Sequence, residues 1–563
     1  MLALAAVAFI TGAIVGAHRG SSPDIGLAES YARSWVHRDY AQMYGEISPA
    51  AKQQTSPGAF AAAHREALRT ATVTGTAIAG KARSHGAGRV TVPVRVHTRL
   101  WGTLTLLLTL EIVSIEGSPK VEWSRSQAFP GVPEGATLTR HTTLPRRATL
   151  LARDGKILAV SPPEGQPGPR SYPLGEGASA AVGEVGAIPA ARRSALEAEG
   201  VPSDAEVGTS GLELALDGRL RGHPGGELLA GQKVLASVPA KGARALRTTI
   251  STSLQEAAVS ALGGQLGGIV AMQPASGQVL AVAGIGLDGQ QPPGSTFKII
   301  TLAGVLGAHI ATPHSQFPYA SYATLDGVRL NNANGENCGG SLELAFAVSC
   351  NSVFSPLGVK LGAPRLVATA EAFGFNHDPG LPGAERSSLP AAGSIQGELD
   401  VGSTAIGQGQ VLATPLQMVT VASAIADGGH RPAPTFERDA PRGGAQAVSP
   451  QVARTVRHLM TEVVREGTGT SAAIPGVVVA GKTGTAELKS CNSSSPEGEA
   501  SETSSSSEGG ESCSGPTNTD AWFTAFAPAV HPRIAVCVLL VKDGAGGDTA
   551  APVARQVLEA GLR

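Results

Sequence analysis

The segment GGIVAMQ-PASG-QVLAVA, residues Gly267–Ala283, decides the fold of the C-terminal half of this chain. Two apolar runs, 267–273 and 278–283, flank Pro274-Ala275-Ser276-Gly277, whose proline and glycine suit a tight turn. Short apolar runs on both sides of such a turn predict an antiparallel hairpin.

Further elements extend outward from this hairpin. Later apolar runs at 477–480, 522–526 and 534–541 predict strands, whereas 296–308 and 414–426 have helical patterns. Because sheet segments lie at both ends of this region with helices between them, we expect one α+β domain over residues 245–563. Its antiparallel sheet, flanked by helices, would be completed by the C-terminal strands.

A serine three residues before a lysine follows the hairpin, in the segment PGSTFK (Pro293–Lys298). If Ser295 begins a helix, its side chain and that of Lys298 lie one turn apart on the same face. A neutral lysine there could remove the serine proton, and burial in the apolar helix that follows would lower the lysine pKa. Alone the motif is weak, because this composition yields S-x-x-K about once by chance. A helix cap beside a surface lysine is the ordinary explanation.

A second candidate is Ser349-Cys350-Asn351, which places a hydroxyl and a carboxamide two residues apart. From an extended or turn segment both would face one way and could supply a proton relay and a hydrogen bond to a substrate. The competing interpretation is a plain Asx or ST turn.

The third candidate is Lys482-Thr483-Gly484-Thr485, which follows the apolar run 477–480. A cation and hydroxyls at a strand end could bind a carboxylate, and Gly484 would let a substrate backbone lie close to the strand. The amide of Thr485 could donate to an oxyanion. The alternative is a strand end with a solvated lysine. Lysine is scarce, 11 in 563 residues, so K-T-G has a chance expectation of only about a tenth and outweighs the other two motifs.

S-x-x-K, S-x-N and K-T-G occur in that order, the trio found in penicillin-binding proteins and serine β-lactamases. The chain strongly resembles the penicillin-binding transpeptidases over residues 244–563. The region before residue 245 lacks the acidic motifs and the length of a glycosyltransferase module, which favours the monofunctional, class B type. The resemblance extends beyond the trio to Gly267–Met272, Pro293–Lys298, Ile406–Gly409, Thr414–Met418 and Ala521–Phe523.

This resemblance implies roles for the first two motifs. Ser295 would be the nucleophile that becomes acylated, and Lys298 would be its base. Ser349 would relay a proton, and Asn351 would bind the substrate amide.

The resemblance also implies the roles of the third motif and the reaction. Lys482 would support the proton network, Thr483 and Thr485 would hold the substrate's terminal carboxylate beside Gly484, and the amides of Ser295 and Thr485 would form the oxyanion hole.

The implied enzyme is a serine-type D,D-transpeptidase of peptidoglycan, with D,D-carboxypeptidase activity as a further possibility. It attacks the D-Ala-D-Ala bond of a stem peptide, releases the last D-Ala and transfers the acyl group to an amine on a neighbouring strand. β-Lactams would acylate the same serine, and no metal or organic cofactor is implied.

The N-terminal half predicts two further domains. Residues 26–68 have a helical pattern, and Val90, Val92, Val94 and Val96 then alternate with other residues, as in a half-buried strand. Residues 20–128 are therefore expected to form a small α+β, cone-like domain, similar to the nuclear-transport-factor-like extension of methicillin-resistance penicillin-binding proteins. Residues 129–244 are rich in Gly, Pro and Arg, as in an irregular connecting domain. Within them, Leu144-Pro145-Arg146-Arg147 and Arg153-Asp154-Gly155 resemble the family's linker, pedestal or dimerisation-type domain.

Residues 1–17 carry no charge and reach the lower limit of a membrane-spanning helix. No A-x-A-like site closes the run, although a cleaved signal remains the alternative. We predict a membrane anchor or signal segment at residues 1–19, a single-pass location in the cell membrane and an extracytoplasmic catalytic domain. Because His18 and Arg19 follow the run, a short basic stretch is expected upstream.

The composition limits the class of protein and the number of domains. With 42% hydrophobic and 16% charged residues the chain is globular, and 563 residues suggest two to four domains. The net charge of -1 and the lack of a basic run exclude electrostatic attraction to nucleic acid. Residues 490–514 are Ser, Glu and Gly with too little apolar surface to order themselves.

The cysteines leave alternatives open. Cys491 and Cys513 bracket the 490–514 loop and could close a disulfide outside the cytoplasm or stay as thiols. Cys338 and Cys350 are a second candidate pair. Cys537 lies in an apolar run predicted to be a strand, and we expect it to be a core residue.

Three other functions are alternatives to a transpeptidase. GIGLDG (Gly284–Gly289) fits a dinucleotide-binding pattern, but the prolines at 292 and 293 prevent the helix that it requires. A β-lactamase would need a way to hydrolyse its acyl-enzyme, and no E-x-x-L-N stretch is present. A β-lactam sensor should carry a cytoplasmic effector or several membrane spans, and the sequence indicates neither. A scaffold role alongside catalysis stays open. The first two domains would hold the catalytic domain away from the membrane and contact other wall-synthesis or division proteins.

Overall fold

The computed structural model describes residues 22–163, 166, 168–175, 181–488 and 518–563. These residues form two compact units. The first comprises the described residues up to Arg147 with Ala187–Glu206 and Arg221–Ala243; the second comprises Ala148–Gly186, Val207–Leu220 and Arg244–Arg563. The domain borders predicted after residues 128 and 244 stay predictions.

Three predictions fall on parts of the chain outside the described residues: the anchor at residues 1–19, the behaviour of the Ser-, Glu- and Gly-rich stretch 490–514, and the pairing of Cys491 with Cys513. Throughout the described ranges, no helix combines the length and the apolar character that crossing a bilayer requires.

The regular elements are numbered along the chain. The helices are α1 (Pro23–His37), α2 (Tyr40–Glu46), α3 (Pro49–Gln54), α4 (Pro57–Thr70), α5 (Ala190–Ala198), α6 (Gly211–Ala215), α7 (Asp217–Leu220), α8 (Thr252–Leu262), α9 (Lys298–Gly307), α10 (Leu342–Ala347), α11 (Asn351–Leu361), α12 (Ala363–Ala372), α13 (Gly397–Ala405), α14 (Pro415–Ala426), α15 (Pro450–Arg465) and α16 (Ala550–Leu562). The strands are β1 (Val73–Ile78), β2 (Arg83–Ser84), β3 (Arg89–Thr98), β4 (Gly102–Ile115), β5 (Ser118–Val121), β6 (Leu138–Thr143), β7 (Leu150–Leu151), β8 (Ile157–Ala159), β9 (Val185–Ala187), β10 (Glu206–Gly208), β11 (Gly225–Ala230), β12 (Lys233–Val238), β13 (Leu246–Arg247), β14 (Gly267–Gln273), β15 (Gln278–Gly284), β16 (Gln316–Ala320), β17 (Tyr322–Leu325), β18 (Val328–Asn331), β19 (Cys338–Ser341), β20 (His430–Pro432), β21 (Gly444–Gln446), β22 (Ala480–Glu487), β23 (Thr519–Ala527) and β24 (Ile534–Leu540).

Alternating valines build the sheet of the first unit. Strands β1, β3, β4 and β5 are hydrogen-bonded in that order, and β2 pairs with β3. Val90 and Val94 on β3 are fully buried in one core with Trp35 of α1 and Phe60 of α4. Successive strand residues point to opposite faces, so the valine positions give the sheet one apolar face. The predicted order of helices followed by strands is confirmed for this region.

The second unit is built on an antiparallel sheet in the order β15-β14-β24-β23-β22. The predicted hairpin is confirmed, since β14 pairs with β15, and the C-terminal strands complete the sheet through the pairing of β14 with β24. One face packs on α8 and α16, and α14, buried along its whole length, lies against β14, β23 and β24. The multidomain α+β fold, with a helix-flanked antiparallel sheet, is thus confirmed.

One strand prediction was wrong. Residues 477–480 were expected to form a strand, but β22 begins only at Ala480. Val477 closes a tight bridge with Ile474 instead, and Val478 is 61% exposed. An apolar run becomes a strand only where a neighbouring strand can pair with it, and here the pairing with β23 starts at Ala480. As a result, the K-T-G motif lies inside β22, at the edge of the sheet, rather than at a strand end.

Candidate active site

Ser295 lies on a short 3₁₀ turn, Gly294–Phe297, that leads directly into α9. The turn is held at its start, because the Gly294 amide donates to the Gly407 carbonyl at 3.0 Å. The Thr296 hydroxyl donates to the Pro293 carbonyl at 2.7 Å. The serine therefore lies at the opening of a buried helix, as expected, and the first turn is a 3₁₀ turn. Ser295 itself stays partly accessible.

Lys298 is the first residue of α9, and its side chain is fully buried. Its Nζ atom donates to the Ser349 carbonyl at 2.6 Å and to Asn351 Oδ1 at 2.6 Å, and it lies 3.3 Å from Ser349 Oγ. Burial, reinforced by the charge of Lys482, holds the pKa of Lys298 well below its usual range. A lowered pKa favours the neutral amine, which the proposed role of a base requires.

The S-x-N motif forms the junction between α10 and α11. Ser349 has the left-handed φ of +63°, which is uncommon for a residue with a side chain. The Ser349 amide donates to the Phe346 carbonyl at 3.1 Å and the Cys350 amide to the Ala345 carbonyl at 2.8 Å. Asn351 opens α11, and its Nδ2 donates to the Asn331 carbonyl at 2.9 Å. The turn thus presents a hydroxyl and a carboxamide oxygen to the same lysine.

A disulfide joins Cys350, the central residue of this motif, to Cys338 on β19. Of the two pairings left open by the sequence, this one is formed in the structure. It connects the residue between Ser349 and Asn351 to the neighbouring two-stranded sheet β16-β19. Cys537 is buried in β24, as predicted.

Lys482 reaches the same hydroxyl from the edge strand β22. Its Nζ donates to Ser349 Oγ at 2.9 Å and to the Thr483 carbonyl at 3.0 Å. The side chain is fully buried, and burial lowers the pKa of Lys482 to about 7. Two buried lysines, one from each outer motif, therefore meet at the hydroxyl of the middle motif.

Two glycines bring the edge strand against the turn that carries Ser295. A Cβ atom on Gly294, which has a φ of +51°, would lie 2.7 Å from the Thr485 carbonyl oxygen. A Cβ on Gly484 would lie 2.7 Å from the Pro293 carbonyl oxygen. Neither contact is possible for a residue with a side chain unless the backbone moves. The close approach aligns the nucleophile turn with an edge strand, whose outward amides are available to a ligand.

The structure also shows two contacts of the K-T-G motif that the sequence interpretation missed. Thr468 Oγ1 lies 2.6 Å from Thr483 Oγ1, and the Thr468 amide donates to the Ala347 carbonyl at 3.1 Å. The Gly546 amide donates to Thr485 Oγ1 at 3.3 Å. Both residues lie in glycine-rich loops, Gly467–Thr470 and Gly544–Gly547. That glycine content was the available signal, but nothing local indicates which side chains the loops meet.

All eight motif residues named from the sequence thus lie in one region of the second unit. The first two motifs meet through Lys298, and the second and third meet through Lys482 and Ser349. The arrangement offers a partly accessible hydroxyl, two lysines with lowered pKa values and an edge strand that can pair with an extended peptide. Such a site suits acyl transfer through a serine ester.

Comparison with known proteins agrees with this geometry. Residues 267–559 match the model of the penicillin binding protein transpeptidase domain, and residues 167–234 match that of the penicillin-binding protein dimerisation domain. The peptidoglycan D,D-transpeptidase PbpA of Mycolicibacterium smegmatis is 32% identical over 423 residues, which cover 63% of this chain and 80% of that protein. The protein of the same name from Mycobacterium tuberculosis is 38% identical over 298 residues, 48% of this chain and 55% of that protein.

A solved structure gives the same result. The imipenem acyl-enzyme complex of penicillin-binding protein A from M. tuberculosis superposes with a TM-score of 0.57 at 28% identity, covering 74% of this chain and 98% of that one. The transpeptidase model alone spans more than half of the present chain. This chain therefore belongs to the penicillin-binding protein transpeptidase family, as a class B member.

Proposed function

We propose that this protein is a peptidoglycan D,D-transpeptidase that works through an acyl-enzyme on Ser295 and that β-lactams acylate at the same residue. The observation that carries the proposal is the convergence on Ser349. Lys298 Nζ and Lys482 Nζ lie 3.3 Å and 2.9 Å from its Oγ, and both lysines are fully buried. Burying two lysines that form no ion pair with any described residue costs stability, so a purely structural role gives no reason for them.

The proposed proton path uses these contacts and the position of Lys298 one turn after Ser295. Neutral Lys298 takes the proton of Ser295 as Ser295 Oγ bonds to the carbonyl carbon of the penultimate D-Ala. The negative charge on the carbonyl oxygen is stabilised by the amides of Ser295 and Thr485. When the tetrahedral intermediate collapses, the C–N bond to the last D-Ala breaks. The leaving amine receives its proton through Ser349, which both lysines contact.

The acyl group then passes to an acceptor amine. The amine attacks the Ser295 ester and its proton returns along the same network, which regenerates the serine. Thr483 and Thr485 are positioned by Thr468 and Gly546 and would hold the terminal carboxylate, while Asn351 would bind the substrate amide. The named relatives and the acyl-enzyme structure support this assignment of substrate and drug class.

Membrane attachment through residues 1–19, an extracytoplasmic catalytic unit and contacts with other wall-synthesis or division proteins are part of the proposal. They rest on the apolar N-terminal run and on the absence of a catalytic constellation from the predicted first two domains.

Labelling with a fluorescent penicillin tests the function. The full chain and Ser295→Ala are incubated with the probe and their intact masses are read over time. We expect one long-lived adduct on the wild-type chain and none on the variant. Incubation with a lipid-linked pentapeptide substrate should then give cross-linked product and released D-Ala only with the wild type.

Ser253→Ala, at an exposed serine on α8, is the matched control and should label as the wild type does. Rapid loss of the adduct by hydrolysis would indicate a β-lactamase. Stable labelling without product from the peptide substrate would indicate a sensor or scaffold. Labelling of Ser295→Ala would refute the assignment of the nucleophile.

A further inference from the structure

A cavity of about 390 Å³ in the first unit is lined by apolar surface and by four arginines. The arginines come from the end of α1, from two turns of α4 and from the loop between β3 and β4. These arginines, with two hydroxyl-bearing neighbours, are Arg38, Arg65, Arg69, Arg99, Tyr40 and Thr72. Among the described residues no carboxylate lines this cavity.

The four arginines have no ionic partners in the described part of the chain. Glu197 lies on α5 beside the cavity-lining Ala198, and its charge acts on Arg140, while Asp39 caps the Gln42 amide. Four like charges around one concavity repel one another, and each guanidinium carries up to five donors. The four arginines are solvent-exposed, so an anion in the cavity would replace water on several guanidinium groups at once and offset their repulsion.

The backbone at this cavity is also strained. Thr72 has a left-handed φ of +49°, whereas the left-handed φ of Arg38, +60°, is that of the C-cap of α1. That conformation is unfavourable for residues other than glycine and is an outlier for a β-branched residue such as threonine. Thr72 is held there by the Arg99 amide, which donates to its carbonyl at 2.9 Å, and by the Leu100 amide, which donates to its hydroxyl at 3.3 Å. Strained positions that the surrounding structure enforces are found preferentially at ligand sites.

Tyr40 supplies a donor and a rigid wall. The Arg65 guanidinium carbon lies 5.5 Å from the centroid of its ring, so the ring orients that arginine. Burial raises the pKa of Tyr40, although Arg38 and Arg65 oppose the shift, so its hydroxyl stays protonated and can donate. The Thr72 hydroxyl accepts from Leu100 and retains its own proton for a ligand.

We propose that this cavity binds a phosphoryl group. A phosphate dianion or diphosphate offers several oxygens around one centre and can engage guanidinium groups from different elements at once, whereas a carboxylate offers two in one plane. The volume accommodates a phosphorylated small molecule or the headgroup of an anionic lipid. Both sources present the same chemistry to the arginines. The site belongs to the first unit and does not depend on the proposed catalytic function.

Isothermal titration of the full chain with inorganic pyrophosphate at low ionic strength tests the site. Arg65→Gln/Arg69→Gln should weaken binding by about tenfold or more, since two charge-assisted donors are lost. The control Arg83→Gln/Arg95→Gln removes the same charge at exposed positions outside the cavity and should bind as the wild type does. Arg99→Gln, on a different element, should weaken binding as well. Unchanged penicillin labelling of Ser295 in every variant checks that the chain is folded.

Sedimentation with vesicles distinguishes the sources. If the ligand is a lipid headgroup, wild type should bind phosphatidylglycerol vesicles in excess over phosphatidylcholine vesicles, and this excess should disappear in Arg65→Gln/Arg69→Gln. If pyrophosphate binds without such an excess, the ligand is a soluble phosphoryl compound. Equal weakening in the cavity and control variants, or no binding of either probe by the wild type, would overturn the proposal.

Discussion

Lys482 Nζ lies 2.9 Å from Ser349 Oγ, although the two residues are 133 positions apart in the chain. The contact joins the edge strand β22 to the turn between α10 and α11. Lys298 contacts the same turn from α9. Because both lysines are buried, their protonation depends on each other and on the state of Ser349. Four consequences can be measured.

The first concerns the proposed base. Lys298→Met and Lys298→Arg should each lower the second-order rate of penicillin acylation by about 10²–10⁴, the usual contribution of a general base. Methionine removes the base, and arginine keeps a charge that cannot be lost at any physiological pH. Stopped-flow labelling measures the rate, and circular dichroism checks the fold. Lys360→Met, at an exposed lysine on α11, should react at the wild-type rate. Near-normal acylation of Lys298→Met would contradict the assigned role.

The second concerns pH. Burial lowers the pKa of Lys482 to about 7, so this lysine is protonated below that pH and neutral above it. The charge of protonated Lys482 helps to keep the base Lys298 neutral, and protonated Lys482 can return a proton to Ser349 after Ser349 protonates the leaving amine, so the acylation rate should fall as the pH rises through an inflection near 7. Lys482→Arg, which is charged at all these pH values, should lack the inflection. A wild-type rate that rises as the pH is raised through 7 would show that the neutral form is the active one.

The third concerns the close approach at Gly294. An alanine there would combine a left-handed φ with a 2.7 Å contact to the Thr485 carbonyl oxygen. The strain should cost about 1–2 kcal/mol of stability, and displacement of the nucleophile should slow acylation about a hundredfold. Gly307→Ala, at the end of α9 where an added Cβ meets nothing within 4 Å, is the control. This control should be neutral or slightly stabilising in thermal melts. Wild-type kinetics for Gly294→Ala would show that the close approach of Gly294 to Thr485 is not required.

The fourth concerns Thr468, which contacts Thr483 Oγ1 at 2.6 Å. Thr468→Val keeps the shape of the side chain and removes this hydrogen bond, leaving the Thr483 hydroxyl with the longer 3.4 Å contact from Lys482 Nζ. This hydrogen bond orients the Thr483 hydroxyl and is worth about 1 kcal/mol, so its loss should lower the acylation rate roughly fivefold. Thr468→Ser retains the hydroxyl and should retain most of the rate. Equal rates for the valine and serine variants would show that Thr468 does not orient Thr483.

The residue pattern alone was sufficient to predict the hairpin at 267–283, the buried helix after Ser295 and the order of the three motifs. The hairpin and the helix depend on neighbours within a few positions, through turn residues, apolar runs and helical spacing, and each motif is a run of three or four residues that can be read directly. The site residues followed from the order of the motifs and the family resemblance, and the structure brings all of them together.

Other features required the tertiary structure. No local pattern indicates that Lys482 meets Ser349, that Thr468 meets Thr483 or that Gly294 lies against Thr485, because these contacts join segments far apart in the chain. The start of β22 at Ala480 depended on where β23 could pair with it. The lowered pKa values of the lysines and the cluster of arginines in the first unit likewise arise from burial and from convergence of separate elements. Those are properties of the packed chain, and a short stretch of sequence does not encode them.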